Sequence, residues 1–316
     1  MRPGAALLVL GLSAGCALAP VGVATRVVTT CPAPGEWVRA GRSEASSFAD
    51  VVAAMGRHRI VLLGERHDAR DDHRWQLHVV AALIADTRPV VLGFEAFPRT
   101  VQPVLDAWSV GELDVPELLE RSQWRRNWPM EPNLYLPLLH LARMHRLPVV
   151  ALNVPRETTR AVRRRGWDAL TESKRHGLST PAAAPAAYRE RLETVYAAHR
   201  CGPAPEGAFD RFVEAQLVWD HAMAAALWRA ADAHPDAVVV GIVGRGHAAR
   251  PGGIDNQLAG LGAPLPFVLL TSDPTCEPGA AGGDVLFGVA PLASEQPPPA
   301  PSPCDAPDAP GAGSPP

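Results

Sequence analysis

Short, continuous runs of apolar and β-branched residues recur along the chain, and longer helix-forming stretches separate most of them. These runs occupy residues 59–63, 89–94, 148–152, 237–243 and 266–270, with a weaker one at 285–289. Apolar runs without alternation fit strands that are buried on both faces, as in parallel sheets. Helical patterns cover residues 72–86, 134–145 and 209–233. The alternation predicts an α/β fold, with a mainly parallel central sheet flanked by helices and a ligand cleft at the carboxyl ends of the strands.

Polar side chains follow four of these runs at the point where each strand should end. The first run leads into Glu65 and His67, the second into Glu95, the third into Asn153 and the fourth into His247. Because the carboxyl ends of parallel strands share one edge of a sheet, we expect these side chains to meet there. A buried strand end is a costly place for an unneeded charge. The four ionisable residues therefore indicate a functional site.

Two kinds of chemistry suit such a site. Beyond residues 1–19, which read as a signal peptide and contain Gly11-Leu12-Ser13-Ala14-Gly15, the chain has neither a Gly-x-Ser-x-Gly nucleophile elbow nor a His-Glu-x-x-His zinc motif. Any hydrolysis would therefore use activated water, with Glu65 or His67 as the base and Glu95 and His247 as further catalytic residues. In this interpretation Glu65, His67 and His247 are also candidate ligands of a divalent metal.

Aromatic and cationic residues cluster before the helix at residues 134–145. Trp124, Arg125, Arg126 and Trp128 precede Tyr135. Flat apolar walls, an axial ligand and cations are what a porphyrin pocket needs, although tryptophans are as often core residues. His73, and Gln216 with Asp220 on a later helix, are positioned to face the same cleft.

The two ends of the chain differ from the centre. Residues 1–19 read as a signal peptide, in which Leu12–Cys16 resembles a lipobox and would make Cys16 a lipidated N-terminus, while Ala17–Ala19 offers ordinary cleavage. We expect a folded domain at residues 30–292 and a disordered Pro/Ala-rich tail at 293–316. Export permits disulfides, and Cys31, Cys201, Cys276 and Cys304 allow 3 pairings. The formal net charge of -3 argues against nucleic acid as a partner.

Several blocks in order resemble the ChaN family of haem-binding lipoproteins, within the Tiki, TraB and erythromycin-esterase-like superfamily. The opening signature is Ile60–Asp68 followed by Asp72–Leu77. Four later blocks agree with it: Val91–Phe97, Val149–Pro155, Phe212–Ala224 and Val243–His247. The likeness covers residues 40–290. The resemblance implies an exported, membrane-anchored lipoprotein of the bacterial cell envelope that acts in haem or iron acquisition.

The same resemblance implies a homodimer with two haems face to face. A Tyr of one subunit would ligate each iron, and His and Lys of the other would hold the propionates. The candidates for the axial ligand are Tyr135, which we favour, Tyr188 and Tyr196, and Lys174 is the single lysine. We further assign His73, Trp128, Arg245 and His247 to the haem site.

Other superfamily members imply a competing role. Erythromycin esterases use the corresponding Glu and His to activate water, and Tiki members are metal-dependent proteases. By this analogy the chain would be a hydrolase that uses Glu65 and His67. A third alternative, an inert surface-binding module, predicts neither haem binding nor activity.

Overall fold

The computed structural model describes residues 31–42, 44–86, 88–198, 202, 204–272, 276 and 282–290. The signal peptide with Cys16, and the tail from residue 293, lie outside the described residues. Within them, no helix has the length and apolar character needed to cross a bilayer.

Within the described residues, eight strands form one sheet. They are β1 (Trp37–Arg39), β2 (Ala45–Ser46), β3 (Ile60–Glu65), β4 (Val90–Pro98), β5 (Val149–Asn153), β6 (Val238–Gly244), β7 (Phe267–Ser272) and β8 (Val285–Gly288). Their order across the sheet is β2-β1-β8-β7-β3-β6-β4-β5. All pairs from β8 to β5 are parallel, and β1 pairs antiparallel with both β2 and β8. The predicted α/β fold with a mainly parallel sheet is confirmed.

Twelve helices belong to the described residues. They are α1 (Phe48–Met55), α2 (Arg70–Ala85), α3 (Gln102–Ser109), α4 (Val115–Arg121), α5 (Trp124–Asn127), α6 (Pro132–Met144), α7 (Arg156–Arg165), α8 (Glu172–Arg175), α9 (Ala186–Ala198), α10 (Ala208–Ala233), α11 (Arg245–Ala248) and α12 (Ile254–Gly260). The three helices expected from the sequence are α2, α6 and α10, with bounds shifted by one or two residues. The sequence pattern missed β1 and β2, because strands of three and two residues show no usable periodicity.

Helices cover both faces of the sheet. On one face, α1, α2, α3 and α6 pack their apolar sides against alternate strand residues such as Val61, Leu63 and Leu92. On the other face, α10 and α12 cover Leu62, Val91 and Val239. Since both faces are buried, the strands are apolar throughout, as the sequence showed.

A disulfide joins the segment before β1 to the segment between β7 and β8. Cys31, which precedes β1, is bonded to Cys276, which lies between β7 and β8. The structure thus selects one pair from the alternatives that the sequence left open. Cys201 and Cys304 lie outside the described residues.

Candidate functional site

The site lies at the carboxyl edge of the sheet, where β3, β4, β5 and β6 end. Glu65 is the last residue of β3, and Glu95 lies near the end of β4. Asn153 ends β5, where its amide donates to the Glu95 carbonyl at 3.1 Å and its side-chain oxygen accepts the Val154 N–H. Asn153 therefore holds the backbone of the edge together.

Glu65 is the centre of a first cluster of polar side chains. Its buried carboxylate accepts the Tyr135 hydroxyl at 2.6 Å and the Nδ1 of His67 at 3.0 Å, both on Oε1. Nδ1 of His73 lies 3.4 Å from Oε2, while its Nε2 donates to the His67 carbonyl at 3.0 Å. Trp128 packs edge-on against His67, with ring centroids 4.8 Å apart. Helices α2 and α6 thus deliver a histidine and a tyrosine to a carboxylate at a strand end.

Asp220 is the centre of a second cluster. This fully buried carboxylate of α10 accepts the Tyr188 hydroxyl and the Nδ1 of His247, each at 2.6 Å. Nε2 of His247 lies 3.5 Å from Glu95 Oε1. The other oxygen of Glu95 accepts the backbone N–H of Gly244 at 2.6 Å. Both clusters therefore repeat one arrangement, in which a buried carboxylate joins a phenol to an imidazole.

The two clusters meet at Gly244. A Cβ at this position would lie 2.7 Å from Cε1 of His67 and 3.4 Å from Oε2 of Glu95. Only glycine allows the His67 ring to approach the β6 backbone so closely. The result is one continuous series of ionisable side chains, here called the carboxylate–imidazole chain. Its members in order are Tyr135, Glu65, His67, Glu95, His247, Asp220 and Tyr188.

The surroundings of this chain shift the pKa values of its imidazoles upward. For His247, burial lowers the pKa, but the charges of Glu95 and Asp220 outweigh burial and raise the pKa to about 9. For His67, burial also acts downward, and the hydrogen bond to Glu65 with the charge of Glu95 produces a net rise in pKa. At neutral pH His247 is therefore an imidazolium between two carboxylates.

The phenols at the two ends of the chain are held in the neutral form. Burial and the charge of Glu65 raise the pKa of Tyr135 well above its ordinary range. Burial and Asp220 do the same to the pKa of Tyr188. Both hydroxyls therefore act as hydrogen-bond donors to their carboxylates.

A cleft of about 350 Å³ opens over this chain. Its lining includes His67, His247, Gln216 and three arginines, Arg66, Arg191 and Arg245. The His67 side chain is 31% exposed, whereas that of His247 is 12% exposed and that of Glu65 1%. The carboxylates thus point into the protein, and the groups that face the cleft are mainly guanidinium and imidazole.

The structure places the predicted haem residues in two groups. Tyr135 contacts both His73 and Trp128 behind Glu65, and the exposures of Tyr135, His73 and Trp128 are only 2%, 5% and 7%. Arg245 and His247 line the cleft, where Arg245 also donates to the Thr271 carbonyl at 2.7 Å. The roles given to these residues remain predictions.

The proposed metal ligands do not form one cluster. Glu65 and His67 form a hydrogen bond with each other, whereas His247 bonds Asp220 and lies 3.5 Å from Glu95. Among the residues that the structure describes, no group of three or more His, Cys, Asp or Glu side chains is arranged to hold a metal ion. A metal site is therefore not supported.

Two members of the carboxylate–imidazole chain make contacts that the sequence did not predict. Asp220 was expected to face the cleft because it lies one turn after Gln216 on α10, but its bond to His247 was not foreseen. Tyr188 was a candidate axial ligand, but its hydrogen bond to Asp220 gives no signal in the sequence, since Asp220 lies 32 positions along the chain.

Comparisons with known proteins place the chain in a family. A family model described as haem-binding uptake, Tiki superfamily, ChaN matches residues 51–258. The solved structure of ChaN from Campylobacter jejuni, described as showing cofacial heme binding, aligns with a TM-score of 0.65 at 17% identity. That alignment covers 79% of this chain and 95% of that one.

Two further similarities are weaker. An erythromycin esterase structure aligns with a TM-score of 0.45 at 11% identity, over 74% of this chain and 77% of that one. The Arabidopsis thaliana protein RETICULATA-RELATED 5, chloroplastic, is 32% identical over 131 residues, which are 39% of this chain. The match spans only 17% of the length of that curated relative.

Proposed function

The chain belongs to the ChaN family of haem-binding uptake proteins in the Tiki superfamily, and from this membership we propose that it binds haem for haem or iron acquisition. The family match over residues 51–258 is the observation that carries the proposal. The fold shared with Campylobacter ChaN over 95% of that chain agrees with it.

The cleft over the carboxylate–imidazole chain is the site that we propose for the haem. The groups that face it are suited to carboxylates, because Arg66, Arg191 and Arg245 lie at its walls beside His67 and His247. Leu192 and Val195 add apolar surface, and Val195 is 41% exposed. This combination fits a flat apolar ligand with anionic substituents.

We propose Tyr196 as the axial ligand among the three tyrosines. It lines a second pocket with Phe209 rather than the cleft itself, so a haem that it ligates would reach beyond the cleft. The hydroxyls of Tyr135 and Tyr188 are buried and already donate to Glu65 and Asp220. Tyr196 lies two turns after Tyr188 on α9, is half-buried, and packs its ring against Phe209 and Phe212. A tyrosine would bind the haem iron as a phenolate, and this ligand would favour the ferric state of the iron. Tyr135 would then serve to hold Glu65.

A haemin titration followed by visible absorbance tests this proposal. We expect the purified protein to show a saturable high-spin ferric spectrum with a charge-transfer band. The band should disappear in Tyr196→Phe and persist in the matched variants Tyr135→Phe and Tyr188→Phe. Loss of the band in Tyr135→Phe alone would restore Tyr135 as the ligand. Non-saturable partitioning in every variant would refute haem binding.

We also propose that the protein is an exported, lipid-anchored homodimer of the bacterial cell envelope. The lipobox-like Leu12–Cys16 supports Cys16 as the lipidated residue. The disulfide between Cys31 and Cys276 supports an oxidising compartment. The folded unit would span residues 30–292. Metabolic labelling with a fatty acid, compared between the native chain and Cys16→Ser, tests the lipid anchor. Analytical ultracentrifugation with and without haemin tests the dimer.

A second candidate function is hydrolysis by activated water. The observation that favours it is the position of His67, whose Nδ1 is held by Glu65 while the rest of its ring borders the cleft. In the neutral form, Nε2 of His67 would accept a proton from water, with Glu65 fixing the tautomer and Glu95 and His247 polarising the substrate. Removal of such a base should lower the rate by about 10²–10⁴-fold.

Esterase assays with nitrophenyl esters distinguish this function from haem binding. Glu65→Gln and His67→Gln should lower turnover by about 10²–10⁴-fold. The native rate should rise as the pH passes above the raised pKa of His67. Haem binding should depend on a tyrosine instead. A protein with neither property would be an inert binding module.

A further inference from the structure

A second group of basic side chains, two arginines and two histidines, lies beside the sheet edge. We call it the basic lobe and define it by Arg99, Arg175, His176 and His221. Arg99 follows β4 and donates from Nη1 to the His176 carbonyl at 2.6 Å. The His176 ring bonds the Thr158 hydroxyl at 2.9 Å.

Arg99 presents an unused edge of its guanidinium group. Its Nη1 is occupied by His176, whereas its Nε and Nη2 are buried and have no hydrogen-bond partner among the described residues. Nε and Nη2 lie on the same side of the fork, which is the side that binds two oxygens of one anion. Buried donors without partners are rare, because each costs about 1–3 kcal/mol of stability.

Neighbouring N–H groups are also buried without a hydrogen-bond partner among the described residues. Arg175 precedes His176 and stacks on the Trp167 ring, with its guanidinium carbon 4.8 Å from the ring centroid. Within the described part of the chain, Nε of Arg175 and Nε1 of Trp167 are also buried without a partner. The lobe therefore contains an excess of buried N–H groups.

The positive charge of the lobe is not balanced. No carboxylate of the described residues forms an ion pair with Arg99 or Arg175. Burial, followed by the charge of Arg229, lowers the pKa of Arg99 to about 10. Burial and the charge of Arg99 also lower the pKa of His176.

Two other arginines show the contrast, although a third, Arg59, also has a buried Nε without a partner among the described residues. Arg66 pairs with Asp72 at 2.8 Å, and Arg250 pairs with both Asp255 and Asp284. Where guanidinium groups are partly buried elsewhere in the described structure, a carboxylate can thus accompany them. A buried cation with neither a carboxylate nor acceptors for its remaining donors calls for an anion.

We propose that the basic lobe binds a small oxyanion of the phosphate or sulfate class, held side-on by Nε and Nη2 of Arg99. Two oxygens of one tetrahedral anion match the spacing of these donors. The site is separate from the cleft. His221 follows Asp220 on α10, and consecutive helical residues point about 100° apart. Asp220 therefore bonds His247, while His221 bonds the Ser179 hydroxyl and lies within reach of the Arg99 charge. The proposal is therefore independent of haem binding.

Thermal unfolding in inorganic phosphate, sulfate or chloride at matched ionic strength tests the proposal. The native protein should gain stability in phosphate or sulfate as the logarithm of anion concentration rises, and should gain none in chloride. Arg99→Met should lose this gain. Arg143→Met is the matched control, because Arg143 likewise donates to one backbone carbonyl but lies on α6 and is not part of the lobe.

Arg99→Lys keeps the charge and removes the paired donors, so calorimetric titration should show at least about tenfold weaker phosphate binding. This variant keeps the test decisive if Arg99→Met fails to fold. The proposal is overturned if the native protein is indifferent to both oxyanions, or if Arg99→Lys binds phosphate as well as the native protein does.

Discussion

Replacing Gly244 by alanine should displace His67 from the carboxylate–imidazole chain. The new Cβ would lie 2.7 Å from Cε1 and 2.8 Å from Nε2 of His67. Carbon atoms in contact prefer about 3.5–4.0 Å, so the ring must move by about 1 Å. A movement of this size breaks the 3.0 Å hydrogen bond between His67 and Glu65.

The cost follows from that bond. Hydrogen bonds to charged groups contribute about 1.5–3 kcal/mol, and the lower end applies because His67 is one-third exposed. A loss of about 1.5 kcal/mol should lower the Tm by roughly 3–6 °C for a domain of this size. The pKa of His67 should fall towards its ordinary value, since the hydrogen bond to Glu65 and the charge of Glu95 hold it up.

Urea unfolding and an NMR titration of the His67 ring measure the two effects. Gly246→Ala is the matched control, because a Cβ there meets nothing within 4 Å. Gly246→Ala should leave both the stability and the titration unchanged. If Gly244→Ala unfolds like the native protein and its His67 titrates at the native pH, the reasoning about this close approach is wrong.

Three further predictions concern other parts of the structure. The pKa of His247 is raised to about 9, so the stability that its charged form contributes should be complete below pH 6.5 and lost as the pH rises through 9. Calorimetry should therefore show a flatter dependence of unfolding stability on pH for Asp220→Asn than for the native protein. An equally steep profile would contradict this. Cys31→Ser should lower the free energy of unfolding by about 4–5 kcal/mol, because the disulfide to Cys276 closes a long loop. Reductant should lower the Tm of the native protein but not that of the variant. Asp114→Ala should lower the free energy of unfolding by about 1 kcal/mol in urea, because it removes the capping box of α4. No change would mean that packing alone holds α4.

The sequence was sufficient to predict the sheet and the edge at which the site lies. The apolar runs marked β3 to β8, and the position of Glu65, Glu95 and His247 after their strands followed from the geometry of parallel sheets. These are local patterns combined with one topological rule, so a single sequence carries them.

The pairing of side chains within the site was beyond the sequence. Tyr135 is 70 positions from Glu65, and Tyr188 is 32 positions from Asp220. Such contacts depend on how helices pack against the sheet, and no spacing rule encodes them. For the same reason, Tyr135 could be placed near the site but its burial against Glu65 could not be foreseen.

The position of β3 in the sheet has a consequence for the order of assembly. This central strand lies between β6 and β7, and its partners Val239 and Phe267 come about 180 and 205 residues later in the chain. Contacts of such long range form slowly, since the intervening loop must close first. The middle of the sheet therefore cannot be completed until most of the polypeptide has been synthesised.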